Sequence, residues 1–540
     1  MDANYSIGSQ QTVFHSHTPR LDAAFVTSLP RKPKPAITHL QIAKLQWRYL
    51  TGAKFGLASL FFDASNLTDR ISELPHDILG GSILSLLPLK EAAATSILSK
   101  RWRYEWCFTT NLYFDCDDTL RDFRALKWEF KNQKSCRYVN WVNHVLKQHT
   151  GSNIEQFRVC FDLDRRFASS IDKWVQFAMK KRVRVFVLDF LLLYGVMYED
   201  SYAFPCTLLG LDEKEKGSSL TPFRCRYGGF EFLRVLHLEH IDVTREVVEY
   251  FMSNCPTLER LSIHSATNLV DLRVVRPSIS LKFLSIKHCL RLDSIEIYDA
   301  NLVSFVYVGL KINVLLSNMP SLVEVSLYEF SECSSGADFL SLAFTQLSSF
   351  LSQLETLTLN INGDYRCAFP VPTLPNLKHL ELIVPADDQW ALNNLNSFLK
   401  ASPSLQRLVL KLEFSPPPPP CKPLEEKLQL LSCELREELR ILLFEPPKML
   451  KAPECPHRNL KIVEIVGYRG RINAVEHVMY LIENVVALEK LVIDPVRRWC
   501  RHPTGYNRKI KDVKEEEEAR DHAMHQLKQM VPSTVQFVCL

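Results

Sequence analysis

A short unit of the form apolar-x-x-apolar-x-apolar returns throughout the chain after Ile154. It is seen at Leu233, Leu236 and Leu238, at Leu258, Leu261 and Ile263, and at Leu281, Leu284 and Ile286; further copies start at Leu322, Leu354, Leu377 and Leu405. Alternate residues of a strand face one way, and a strand this short cannot bury that face alone. Successive copies must therefore stack, each covering its neighbour, so that a parallel sheet forms with helices or loops behind it.

The copies follow one another every twenty to thirty-two residues or so, the period of leucine-rich repeats. Pro256, Pro320 and Pro403 each stand two residues before the first leucine of a copy, where proline ends the preceding helix ahead of the next strand. Intermediate copies near Leu269, Leu292 and Leu302 are closer together, so the array reads as irregular. Nearly all of these leucines are core. Binding information has to lie in the polar residues beside them and in insertions such as 195–226, which reads as a loop.

At 540 residues the chain is long enough for several domains or one long array. Its 46% hydrophobic and 23% charged residues are those of a folded chain. A formal charge of +4 with no long basic stripe makes nucleic acid a poor partner. The longest apolar stretch, 183–198, is interrupted by Arg184 and Asp189 and is too short to cross a bilayer, so no membrane partner is expected. The 15 cysteines are scattered singly without a C-x-x-C pair, which fits buried thiols in a reducing compartment.

Catalytic signatures are missing. The chain has no G-x-G-x-x-G, no phosphate-binding G-x-x-x-x-G-K-[ST], no G-x-S-x-G and no H-E-x-x-H. His237 with His240, and His522 with His525, are spaced to share a helix face, yet they lack Cys or carboxylate partners at zinc spacing. They read as exposed or core histidines. No enzyme activity, cofactor or metal site is expected.

Residues 74–106 are crowded with apolar side chains and predict three short helices: one begun by Pro75, one running from Lys90 through the alanines, and one over 96–106. In the third, Leu98, Trp102 and Trp106 lie four apart on one face. A segment this small cannot bury so much apolar surface by itself and has to dock on something.

The pairs and runs Leu74-Pro75, Ile83 to Pro88 and Thr95 to Arg103, flanked by Asp69 to Ser72 and Asn111 to Asp115, resemble the plant form of the F-box, the adaptor-binding module of SCF-type ubiquitin ligases. One departure is an apparent extra residue at Gly80, Gly81 and Ser82. It would rotate a helix face by about 100°, and two glycines cost roughly 1 kcal/mol each against alanine, so a kinked or frayed first helix is expected. The C-terminal stretch resembles the FBD module through His457, Leu460 to Ile465, Gly467, Tyr468 and Gly470, a helix to Asn484, and Leu488 to Ile493.

The resemblance implies an α/β chain: a small three-helix F-box, then an irregular leucine-rich-repeat solenoid of horseshoe form, capped by an FBD-like unit. The expected boundaries are a disordered or poorly defined leader at 1–66, the F-box at 67–115, a helical connector at 116–153 and the repeat array at 154–414. A Pro-rich linker at 415–426 and a helix plus FBD-like unit at 427–540 complete the chain. The Glu515 to Glu518 run reads as a solvated helix face.

The same resemblance implies a cytoplasmic or nuclear substrate-recognition subunit that binds a Skp-family adaptor, and through it a cullin, while the repeats hold an unidentified target protein. Leu74, Pro75, Ile78, Ile83, Leu84, Leu87, Pro88, Leu98, Trp102 and Trp106 are the residues expected to build or present the adaptor face. The alternative is a repeat-type interaction protein whose F-box has decayed.

Overall fold

The computed structural model describes residues 71–115, 126–190, 201–211, 229–329, 343–360, 371–385, 392–413, 456–496 and 510–540. The expected leader, the Pro-rich linker and the helix expected over 427–444 lie outside the described residues.

Among the described residues, fourteen strands form one parallel sheet in chain order, from Asn111–Asp115 through Gln156–Cys160, Val185–Asp189, Val235–Glu239, Arg260–His264 and Phe283–Lys287 to Gln536–Cys539. The repeating unit explains the register. Leu236 is paired with Leu261, Leu261 with Leu284 and Leu284 with Phe305, and the same row continues through Val325, Leu357, Leu380, Leu408, Val463 and Leu491. Every side chain in that row is buried. The opposite row is more polar, with Arg158, His237, Ser262, Ser285, Ser326, Thr358, Glu381 and Glu464 at aligned positions.

The layer behind the sheet changes along the chain. Helices Trp128–Gln148, Ala168–Lys180, Arg245–Asn254, Leu392–Ala401 and Ile472–Asn484 fill it at the two ends. Between them it is a second parallel sheet of three strands, Asp271–Val275, Ser294–Tyr298 and Asn313–Ser317. This corrects the irregular reading of the close copies. Leu269 and Leu292 lead into back strands and Leu302 leads into the main-sheet strand Ser304–Gly309, so each short coil is a regular pair of strands.

The corners of these coils are not built on glycine. His240, Ser265, Arg276, His288, Asp299 and Asn318 each directly follow a strand with φ of 54–56°. A left-handed residue other than glycine costs roughly 1–2 kcal/mol. The turn is held because its N–H donates to the next coil: His240 to the His264 carbonyl, Ser265 to Lys287, Arg276 to Tyr298, His288 to Val308 and Asp299 to Ser317. The sheet ladder thereby continues around the corner.

Three expectations change with the fold. Asn111–Asp115, expected inside the first module, is the first strand of the sheet, and the helix of the expected connector lies between it and the second strand, as the back of a coil. Within the insertion 195–226 the described residues 201–211 are built into the fold: strand Tyr202–Ala203 pairs with Ile241–Asp242, and Tyr202, Phe204 and Leu209 are buried, because this stretch has its own apolar side chains. Glu516 is not solvated. It is buried 3.4 Å from the guanidinium of Arg469, itself beside the carbonyl of Pro495, and its own helix, Ile510–His522, brings it there.

The C-terminal unit extends the same sheet. Strand Ile462–Val466 pairs with Arg407–Glu413 and is followed by Lys490–Asp494 and Gln536–Cys539. His457 ties it to the preceding coil: its Nδ1 accepts from the Leu460 N–H at 3.1 Å, which leaves Nε2 to donate to the Ser402 carbonyl at 2.9 Å. Cys107, Cys160, Cys255 and Cys289 are buried free thiols. No described helix is long and apolar enough to cross a membrane.

Candidate functional site

The small module before the sheet is made of very short turns. Pro75 caps His76–Ile78, a π-turn follows at Leu79–Ile83, and a 3-10 turn at Leu84–Leu86 ends before Pro88, which caps Leu89–Ala94. The π-turn falls at the position of the expected extra residue. A wider turn absorbs one added residue without fraying the chain, and here the Leu84 N–H reaches back to the Leu79 carbonyl. Gly80 lets this turn press on the last one: a Cβ there would stand 2.7 Å from the Glu105 carbonyl oxygen and 2.9 Å from Phe108 Cβ.

The third expected helix is shorter than expected. After Thr95–Ile97 the chain turns at Ser99, whose Oγ accepts from the Trp102 N–H, and helical structure resumes only over Trp102–Phe108. Leu98 therefore does not share a helix with Trp102 and Trp106.

A polar lock closes the module. Glu105 is buried, and its Oε1 lies 3.0 Å from Arg101 Nη1 and 2.7 Å from His76 Nδ1. Arg101 also donates to the Leu74 carbonyl at 2.8 Å, and Trp102 Nε1 donates to Ser72 Oγ at 2.7 Å. Further bonds fuse the module to the first coil. The Thr110 N–H donates to Ser85 Oγ, the Thr150 N–H donates to the Cys107 carbonyl, and His149 Nε2 meets the Thr109 carbonyl at 2.9 Å. Burial of His149 lowers its pKa, against the raising effect of that carbonyl contact.

Of the ten residues expected to make the adaptor face, Leu84, Trp102 and Trp106 are buried in the module, and Leu74, Ile83, Leu87 and Leu98 are half-buried. Pro75, Ile78 and Pro88 are exposed. Three further apolar side chains that sequence reasoning missed stand in solvent: Leu86 at 63%, Ile97 at 79% and Tyr104 at 58% exposure, beside Ile78 at 45%. Ile97 carried a signal, since it falls off the Leu98 face of a helix and four residues before Arg101, where a side chain of its kind is unusual.

A second cluster of titratable side chains lies on the polar face of the sheet. His237 and His240, read as neighbours on a helix, are instead on a strand and at its corner. His237 faces the same way as Glu239, two residues on, and the next strand adds His264 in register with Glu239. Glu239 Oε2 is 3.1 Å from His237 Nε2 and 3.5 Å from His264 Nδ1. Burial alone would raise the Glu239 pKa, but these two histidines hold it well below the usual carboxylate range. Asp189, opposite Glu239 on the preceding strand, is pushed up to about 7 by burial and by the Glu239 charge. His522 is elsewhere, with Nδ1 2.9 Å from the Tyr468 hydroxyl, and His525 is exposed.

A family model described as At1g61320/AtMIF1, LRR domain, matches residues 145–419, and a second, FBD, matches residues 449–493. Among curated proteins of Arabidopsis thaliana, the FBD-associated F-box protein At4g10400 is 26% identical over 440 residues, covering 79% of this chain and 92% of that protein. The F-box/FBD/LRR-repeat protein At4g00160 is 27% identical over 353 residues, 64% of this chain and 72% of the relative. The F-box/FBD/LRR-repeat protein At5g22700 is 30% identical over 215 residues, 39% of this chain and 45% of the relative. With a parallel repeat sheet that has fourteen strands among the described residues and a C-terminal unit that extends it, the chain belongs to the plant F-box/leucine-rich-repeat proteins that carry an FBD module.

Proposed function

We propose that this protein is a non-catalytic substrate-recognition subunit of an SCF-type, cullin-based ubiquitin ligase, acting in the cytoplasm or nucleus. Residues 71–108 serve as its F-box and dock on a Skp-family adaptor, which links the chain to a cullin. The repeat sheet, curved as a horseshoe, holds a target protein. The mechanism is proximity: tethering raises the effective concentration of target lysines near the ubiquitin-carrying enzyme, and other subunits perform the chemistry.

The observation that carries this reading is the exposure of Ile78, Leu86, Ile97 and Tyr104 on a module whose other large side chains are packed and whose buried carboxylate is paired. Left wet, each large apolar side chain forgoes roughly 1.5–3 kcal/mol, and a docked adaptor recovers part of that. The test is capture of a purified Skp-family adaptor by the full chain and by an Ile78→Ser, Ile97→Ser variant. We expect capture by the first and loss of at least tenfold in affinity by the second, with unfolding by urea unchanged. Equal capture by both would remove the assignment of this face. Leu84→Ala and Trp102→Ala are poorer probes, because both side chains are buried and act first on folding.

The extra residue at Gly80, Gly81 and Ser82 is what one rival rests on, a decayed F-box on a repeat-type interaction protein. Deletion of Gly81 separates the two. A large gain in adaptor affinity favours decay, and little change favours a module in which the extra residue is accommodated.

A further inference from the structure

We propose that His237, Glu239 and His264 bind one first-row transition-metal dication, zinc foremost, on the polar face of the sheet. His237 and Glu239 are alternate residues of one strand and so share a side. The parallel register then sets His264 beside Glu239. One donor atom from each of the three lies within 4.8 Å of the others.

The spacing is that of ligands around a common ion. Two donors held at about 2.1 Å by one tetrahedral zinc stand roughly 3.4 Å apart. Glu239 Oε2 is 3.1 Å from His237 Nε2 and 3.5 Å from His264 Nδ1. Two imidazoles and one carboxylate select zinc, copper or nickel over calcium or magnesium, which take oxygen ligands, and three protein ligands leave one position open.

Two independent features support the set. His264 Nε2 is 3.2 Å from Ser285 Oγ, on the next strand, the kind of outer contact that orients a metal-bound imidazole and directs its other nitrogen to the ion. Asp189, opposite Glu239 on the other side, is 4% exposed, and its Oδ1 has no hydrogen-bond partner among the described residues. Its carboxylate atom lies within 4.8 Å of a Glu239 oxygen, in a group that also includes His240. The positive charge of Lys287, in register with His264 on the following strand, acts on Glu239 as well, and side-chain exposures of 23%, 15% and 14% for His237, Glu239 and His264 leave a route for an ion.

The experiment uses the full chain, stripped with a chelator and kept reduced, and titrates it with cobalt(II). We expect one equivalent bound with the strong visible absorption of a tetrahedral nitrogen and oxygen site, displaced by zinc. His237→Ala and His264→Ala abolish that spectrum. Glu239→Gln, which keeps the shape and the hydrogen-bonding capacity of the side chain and so guards against misfolding, weakens binding by at least about tenfold. His525→Ala leaves it unchanged. A spectrum dominated by near-ultraviolet thiolate-to-cobalt charge transfer would assign the ion to cysteines and overturn the proposal. So would no stoichiometric binding, or binding that survives Glu239→Gln at full strength. None of these readouts depends on adaptor capture.

Discussion

The repeat sheet and the small module at its start use the same residue types with opposite results. In the sheet, Leu236, Leu261, Leu284, Leu357, Leu380 and Leu408 are all sealed, because each lies between strands on both sides. In the module, Leu86, Ile97 and Ile78 remain in solvent although leucines and tryptophans a few residues away are buried. A residue in a stacked coil is covered from two directions by chain of its own kind. The module has the sheet on one side only, so part of its apolar content is a surface property. An apolar residue in the array is a statement about packing, whereas in the module it also bears on the proposed adaptor contact.

The sharpest way to break this comparison is Leu284→Ala. With Leu261 and Phe305 paired to either side, the site has little room to collapse, and a loss of about 2–5 kcal/mol in denaturant unfolding is expected. A loss well under 1 kcal/mol would mean that stacking on both sides is not what seals the row.

A smaller effect is expected inside the module, where its two glycines should part company. Gly80→Ala drives a methyl group against the Glu105 backbone and should cost about 1–3 kcal/mol. Gly81→Ala meets only Thr110 Cγ2, at 4.0 Å, and should stabilise by up to about 1 kcal/mol through helix propensity. Equal effects at the two positions would show that the π-turn is not pressed on the last turn of the module.

The smallest effect concerns the joint between the two regions. His149 is buried against the Thr109 carbonyl with its pKa lowered from 6.5 by desolvation. Between the native and unfolded values the unfolded chain binds more protons, so stability rises with pH there. The contribution of neutral His149 is present above about pH 6.5 and is lost as the pH falls through the native value. Thermal unfolding of wild type and His149→Gln between pH 8 and pH 5 checks this: the acid-side decline should be shallower in the variant, and identical profiles would remove His149 from the joint.

Much of the sheet was readable in advance because the strand signal is local. The triplet at Leu258, Leu261 and Ile263 implies an inward face whatever surrounds it, and the prolines at 256, 320 and 403 mark its start. The back strands were harder. Asp271–Val275 and Ser294–Tyr298 carry the same alternation as the front strands, so one-dimensional spacing could not separate two strands per coil from a disturbed period. A helix would put His237 and His240 on one face and leave Glu239 off it, whereas a strand turns Glu239 to the same side as His237. His264 lies one coil further on, out of reach of any local pattern.

The order of core and polar positions within each coil, the places where strands begin and the apolar excess of residues 74–106 were set by the sequence itself, because alternation and proline stops act between near neighbours. The tertiary structure alone decided that the coils from Leu258 to Leu322 are backed by strands and that an extra residue at Gly80 and Gly81 becomes a π-turn. It also decided that Ile97 stays outside while Trp102 goes in, and that two histidines and a glutamate from neighbouring coils meet. Those outcomes depend on the register between segments more than twenty residues apart, which is settled only when whole coils stack.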